Sequence, residues 1–214
     1  MRIECMPLGR IGANCYILFE EGATACILID PGDETSTVVQ NLGKLNLEPK
    51  YILITHGHHD HFGAVSGVKS HYPDAQVLIH ESDNERLRET GMRTYLRVTT
   101  EGPVADGFIK ENDVILCGGI RLIVIHTPGH SPGGVCFYAE TEGCVFSGDT
   151  LFRASVGRSD FPGGNQQDLF FSIREKLYKL PPETIVYPGH SAYTNIGEEM
   201  RNNPFIRADF TEGY

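Results

Sequence analysis

The residues in this chain best suited to chemistry crowd into one heptapeptide, Thr55-His56-Gly57-His58-His59-Asp60-His61, which holds four of the nine histidines. It follows an apolar run that ends at Ile54. In an extended backbone, residues two apart point the same way, so His56 and His58 can reach one ion together. Gly57 between them permits an unusual backbone path and a close approach. Asp60 and His61 come where the chain is expected to turn into a helix. Neither a straight strand nor a single helix face aims all four at one point, whereas a loop wrapped around an ion does. His59 is expected to face away. The competing reading is a polar surface loop, and the rest of the chain has to decide.

A catalytic zinc commonly takes three protein ligands and leaves its fourth position to water. His56 and His58 supply two. Further ligand-type side chains stand in His-Thr-Pro-Gly-His130-Ser, in Phe-Ser-Gly-Asp149-Thr-Leu-Phe and in Val-Tyr-Pro-Gly-His190-Ser. His56, His58, Asp60, His61, His130, Asp149 and His190 are together too many for one tetrahedral ion. Two ions sharing a bridging carboxylate can use them all. A lone histidine after a strand is ordinarily a hydrogen-bonded turn residue. Here each motif has the same context, a strand followed by a turn, and that favours a metal site. His71, His80 and His126 have no motif partners and are expected to be structural or superficial.

The elements that must position these groups are legible as apolar, β-branched runs ending in tight polar turns. "ACILID" leads into Pro31-Gly32, "YILIT" into His56, "IRLIVIHT" into Pro128-Gly129-His130, "CVFSGD" ends at Asp149, and "TIVY" leads into Pro188-Gly189-His190. Helical patterns lie between them. Ser36 is expected to cap a helix carrying Val38, Val39, Leu42 and Leu45. Phe62, Val65 and Val68 indicate another before Pro73. Asn165 with Asp168 resembles a capping box, followed by Leu169, Ile173, Leu177 and Leu180 on one face until Pro181-Pro182. A short last helix is expected through "IGEEMRNN" before Pro204. Strands mixed with helices imply an α/β layered domain. Residues 81 to 107 are the least regular part, a lid or a helical excursion.

Composition narrows the function classes. The formal net charge of −10 over 214 residues argues against broad binding to nucleic acid or to an anionic membrane. The N-terminal residues show no signal-peptide core, and no segment approaches the ~18 apolar residues of a membrane helix. A cytoplasmic protein without nucleic-acid or membrane partners is the expectation. None of the six cysteines forms a C-x-x-C pair, so buried free thiols are expected rather than a thiolate metal site.

The run T-H-x-H-x-D-H, then P-G-H-S, then G-D-T-L-F, then P-G-H, resembles the metallo-β-lactamase superfamily over roughly residues 10 to 195. The resemblance implies an αββα sandwich of two mixed β-sheets flanked by helices. It implies that His56, His58 and His130 hold a first metal, that Asp60, His61 and His190 hold a second, and that Asp149 bridges them. "GDTLF" and the run from Gly157 to Phe161 resemble the glyoxalase II-like and persulfide-dioxygenase-like branches. Secreted β-lactamases carry a signal peptide, and the RNA-processing branch has a basic surface. The expected organisation is a single domain over 1–214, without the helical C-terminal extension of glyoxalase II.

The expected activity is therefore that of a metal-dependent hydrolase using a metal-bound hydroxide on a small-molecule thioester such as an S-hydroxyacylglutathione. Two divalent ions are expected, zinc first, with Fe2+ or a mixed Fe/Zn pair as the other option. Asp60 is expected to orient the hydroxide. Arg153, Arg158, Tyr193 and Arg201 are the candidates for contacts to an anionic substrate, with Arg86, Arg88, Arg93 and Arg97 as a weaker set. The alternative activity is an iron-dependent persulfide dioxygenase holding one iron through His56, His130 and Asp149, a facial triad with open positions. A third reading is a metal-stabilised, non-catalytic scaffold.

Overall fold

The computed structural model describes residues 1–88 and 102–207. Two six-stranded sheets lie face to face. The first runs in the order β1 (Arg2–Leu8), β2 (Ala13–Phe19), β3 (Ala25–Ile29), β4 (Glu48–Leu53), β5 (Gln76–His80), β6 (Gly107–Ile109). Its first three strands are antiparallel and its last four parallel. The second contains β7 (Val114–Cys117), β8 (Ile120–His126), β9 (Val135–Ala139), β10 (Cys144–Gly148), β13 (Ile185–Pro188) and β14 (Thr194–Asn195), with only β10 and β13 parallel. A small hairpin, β11 (Leu151–Phe152) and β12 (Ser155–Val156), follows β10. Both sheets are mixed, as the αββα architecture requires.

The unbroken apolar runs have a direct cause: the central strands are buried on both faces. On β2, Cys15 and Ile17 face the outer core under the helices, while Tyr16 and Leu18 face the opposite sheet. On β9 the same alternation sends Val135 and Phe137 inward between the sheets and Cys136 and Tyr138 outward. The outer faces are covered by α1 (Thr35–Leu45), α2 (His59–Phe62) and α3 (Val65–His71) on one side, and by α4 (Gln166–Glu175) and α5 (Ile196–Asn202) on the other.

Three helical expectations need correction. The first helix is entered from Glu34, held in the left-handed region at φ 53°, and not from Ser36. Thr37 donates its hydroxyl to Glu34 Oε2 at 3.0 Å across the first turn. Phe62 and Val65 lie on two short helices rather than one, because the chain breaks at Gly63-Ala64 to bring Ala64 N–H to Pro31 O at 3.0 Å. Asn165 does cap α4, accepting from Gln167 N at 2.9 Å and Asp168 N at 3.3 Å, but Leu177 falls in a separate 3-10 turn and Leu180 lies beyond it. Residues 81–88 form a 3-10 helix. Residues 89–101 of the irregular stretch, with Arg93 and Arg97, lie outside the described residues. Among those described, no helix is long and apolar enough to cross a membrane.

All six cysteines are free, and only Cys5 is exposed. Burial pushes the Cys26 and Cys144 thiols up to about 12, so they act as apolar filling rather than nucleophiles.

Candidate metal centre

Strand direction assembles the site. The chain leaves β3 and β4 side by side at one end of the first sheet, and β10 and β13 side by side at one end of the second. The loops after β4, β8, β10 and β13 carry His56, His130, Asp149 and His190. The two sheets are tied at this edge: Asn14 on β2 donates to Pro188 O at 3.0 Å and Ser191 O at 2.9 Å, and Val135 N–H to Thr55 O at 2.9 Å. All seven ligand-type side chains of the sequence motifs meet there. His56, His58 and His130 offer ligand atoms within 4.8 Å of one another, and so do Asp60, His61 and His190. Asp149 faces both sets, with Oδ2 at 3.6 Å from His130 Nε2 and 3.7 Å from His190 Nε2, and Oδ1 at 3.5 Å from His61 Nε2. His59 packs against the Phe62 ring at 5.2 Å instead, and His80 stacks on His126 at 4.1 Å.

Hydrogen bonds behind the imidazoles decide which nitrogen faces the centre. Thr55 Oγ1 donates to Asp30 Oδ2 at 2.6 Å, so its oxygen accepts from His56 Nδ1 at 3.0 Å. His61 Nδ1 donates to the same Asp30 oxygen at 2.9 Å, and His130 Nδ1 donates to the Arg158 carbonyl at 2.6 Å. Each ring is thereby fixed with Nε2 turned inward. His56 Nε2, His61 Nε2 and Asp149 Oδ1 are buried without a hydrogen-bond partner. Buried polar atoms ordinarily find one. Three orphans aimed at a common centre, with His58 Nδ1 only 2.8 Å from His130 Nε2, form a donor set that fits one or two divalent cations.

The electrostatics divide the site in two. Burial, reinforced by the neighbouring imidazoles, drives His56 well below its usual value and His58 down to about 3. Burial also opposes charge on His61, but Asp60, Asp149 and Asp30 overcome it and hold that imidazole well above its usual value. Against its own desolvation, Asp60 is held far below the carboxylate range by His61 and His190. Without an ion, His56 and His58 are neutral, and the Asp60/His61/His190 cluster is a proton-bearing ion-pair network.

Gly189 is needed where it stands. A Cβ there would overlap Asp149 Oδ1 and come within 2.8 Å of His61 Cε1. Gly189→Ala is expected to cost about 1–3 kcal/mol through the forced displacement. A thermal melt of the metal-free protein would check it, the midpoint falling by several degrees.

The expected substrate contacts scatter. Arg153 and Tyr193 line an open cleft of about 580 Å³ with Ala192, Thr194, Glu198 and Asn202. Arg158 lies beside His130, but its guanidinium is clamped by Asp160 at 2.8 Å and stacked on Phe161 at 4.3 Å. Arg201 pairs with Glu198 at 3.5 Å. Arg86 is committed to the scaffold, next to Asp83 and donating to the Pro162 carbonyl, and Arg88 is exposed. Sequence reasoning passed over Asp30, although "ACILID" has the same strand-then-turn signature as the ligand loops. It also passed over Phe161, whose ring lies 5.4 Å from His58 and walls that side of the cluster.

A mixed-sheet sandwich with a His/Asp cluster at its strand ends defines a class of metalloprotein, and the comparisons agree. The sequence profile of the metallo-beta-lactamase superfamily matches residues 8–190, and the chain belongs to that superfamily. It is 36% identical over 217 residues to the hydroxyacylglutathione hydrolase GloC of Haemophilus influenzae, covering 97% of this chain and 99% of that one. Among solved structures it is similar to the BLEG-1 B3 metallo-beta-lactamase, with a TM-score of 0.88, 36% identity, and 96% and 99% of the two chains covered. It is similar to TTHA1623 in a di-iron-bound form, with a TM-score of 0.84, 39% identity, and 95% and 100% covered. ETHE1 from Myxococcus xanthus matches with a TM-score of 0.81 and 26% identity, over 97% of this chain and 85% of its own.

Proposed function

We propose that this protein is a binuclear metal-dependent hydrolase that cleaves a small thioester, an S-hydroxyacylglutathione or a close relative. The observation that carries the reading is Asp149, a single carboxylate facing ligand-type side chains of two adjoining clusters, which its own group with His56 and His61 joins. In this proposal His56, His58 and His130 hold one ion, Asp60, His61 and His190 the other, and Asp149 lies between. Two such ions would lower the pKa of a shared water from about 15.7 towards about 7 and polarise the acyl carbonyl.

The chain's own residues do the rest. Asp60, held ionised by His61 and His190, accepts a hydrogen bond from the attacking water and fixes its direction. His56, His61 and His130 are held with Nε2 turned inward by the bonds behind them, so no ring has to flip before an ion binds. Phe161 packs its ring edge-on against His58 on that side. A thiolate leaves readily, so no strong general acid is required. The GloC relative supports the thioester class. It is matched over 97% of this chain and 99% of its own length. Arg153 and Tyr193, in the cleft beside the His190 loop, are the proposed contacts to the substrate's anionic end.

A second reading, the persulfide dioxygenase, rests on the likeness to ETHE1. It would use His56, His130 and Asp149 around one iron, whereas the hydrolase reading employs all seven groups. The deciding experiment measures metal content alongside three assays: hydrolysis of a thioester panel, hydrolysis of a β-lactam, and oxygen uptake on glutathione persulfide. Thioester cleavage with two equivalents of metal is expected. Iron with oxygen uptake and no thioester cleavage would overturn the proposal.

The charge division predicts unequal metal retention. In the first cluster, His56 and His58 hold no proton at neutral pH for an ion to displace, because burial and the neighbouring imidazoles push both down, His58 to about 3. An ion in the second must displace the proton that three carboxylates hold on His61. Its affinity therefore falls about tenfold per pH unit below the His61 value. Dialysis at pH 8, 7 and 6 followed by metal analysis should step from two equivalents to one. Parallel loss of both ions would contradict the assignment.

A further inference from the structure

We propose that Asp83 is a positioning residue for the first metal cluster, the single carboxylate that holds the ligand loop of one sheet against the ligand loop of the other. The inference rests on the reading of His56, His58 and His130 as metal ligands. Those three come from different sheets: His56 and His58 follow β4 in the first, and His130 follows β8 in the second. Nothing in either sheet alone fixes their separation, and a ligand misplaced by a fraction of an ångström weakens a metal site.

Asp83 sits in the 3-10 helix after β5 and is wholly buried. Its Oδ2 accepts from Gly57 N at 2.8 Å, the peptide between His56 and His58. The same oxygen accepts from Ser131 Oγ at 2.6 Å, the residue after His130. Its Oδ1 accepts from Gly133 N at 2.7 Å, further along the His130 loop. One carboxylate thus makes one bond to the first loop and two to the second. None of its partners is itself a ligand, so it sets where the ligand backbones lie without touching the ion.

Arg86, one turn on, extends the tie. Its Nε lies 3.5 Å from Asp83 Oδ1, and its guanidinium donates to the Pro162 carbonyl in the loop that carries Phe161. The need for glycine at 57 follows from the same packing: a Cβ there would stand 2.6 Å from Arg86 Cβ and 2.9 Å from Asp83 O. Close approach, rather than a left-handed backbone, explains it. Asparagine cannot replace Asp83, because its amide would turn hydrogens towards one set of N–H and O–H donors.

Asp83→Ala and Ser131→Ala would be titrated with Co2+ alongside wild type, in metal-free folded protein at 10 °C, with the cobalt absorption bands resolving the two sites. Circular dichroism establishes that each variant is folded. Loss of an outer hydrogen-bonding partner typically costs about 10–100-fold in metal affinity. Asp83→Ala is expected to weaken the three-histidine site by that factor and to leave the Asp60/His61/His190 site within about twofold. Ser131→Ala leaves no unpaired donor behind and keeps the chain folded even if Asp83→Ala does not; it should weaken the same site about threefold or more. Equal weakening of both sites, or unchanged Co2+ affinity in a folded variant, overturns the proposal. Wild type that takes up no Co2+ would instead sink the metal reading on which it rests.

Discussion

Asp149→Ala is expected to lower kcat/KM by about 1,000-fold or more on any thioester the wild-type protein cleaves, equivalent to about 4 kcal/mol of transition-state stabilisation. The magnitude follows from its place. The other ligand-type groups divide between two clusters, whereas Asp149 Oδ1 faces His61 and Oδ2 faces both His130 and His190. Its loss therefore removes a ligand from each half and the negative charge that would hold two cations near each other. The fold should survive, because Asp149 Oδ1 accepts no hydrogen bond and two other carboxylates, Asp60 and Asp30, still face His61 when it goes. Circular dichroism separates the two effects, and metal analysis should find at most one equivalent bound. A folded variant keeping more than a tenth of wild-type turnover would remove Asp149 from the mechanism.

The parts of this site that were legible in the sequence share a physical signature. An apolar run long enough to be buried on both faces must end where the sheet ends, and a polar turn there places its side chain at the rim. His56, His130, Asp149 and His190 each carry that signature, and all four meet. The sandwich itself followed from a family resemblance rather than from periodicity. What escaped was whatever acts through partners distant in sequence. Asp83 lies in a polar run, Glu81 to Arg88, with no apolar period and nothing to mark it as buried. Its three partners come from residues 57, 131 and 133, and only the fold brings them together. The helix ends were missed for a similar reason. Ser36 has the side chain of a cap, but the turn from Pro31 holds Glu34 in the left-handed region, so the helix begins from there.

Removing Asp30 tests the scaffold behind the ligands, and Asp30→Ala should destabilise the metal-free protein by about 3–5 kcal/mol, the usual cost of breaking a buried ion pair from one side. Asp30 is 1% exposed and receives Thr55 N at 2.7 Å, Thr55 Oγ1 at 2.6 Å and His61 Nδ1 at 2.9 Å. It therefore fixes His61 directly and His56 through the Thr55 hydroxyl. The pH dependence distinguishes this from simple loss of packing. His61 is held above its ordinary value by Asp60, Asp149 and Asp30. A histidine raised in the folded state contributes stability that is fully present below about pH 6.5, its unfolded value, and is lost as pH rises through the folded value. The gap between wild type and Asp30→Ala in urea denaturation should therefore be widest near pH 6 and narrow as His61 deprotonates. What persists at high pH is the unpaired Thr55 N–H, a loss that does not titrate. A gap constant across that range would mean that His61 keeps the same charge throughout, and that Asp30 acts through the Thr55 bonds alone.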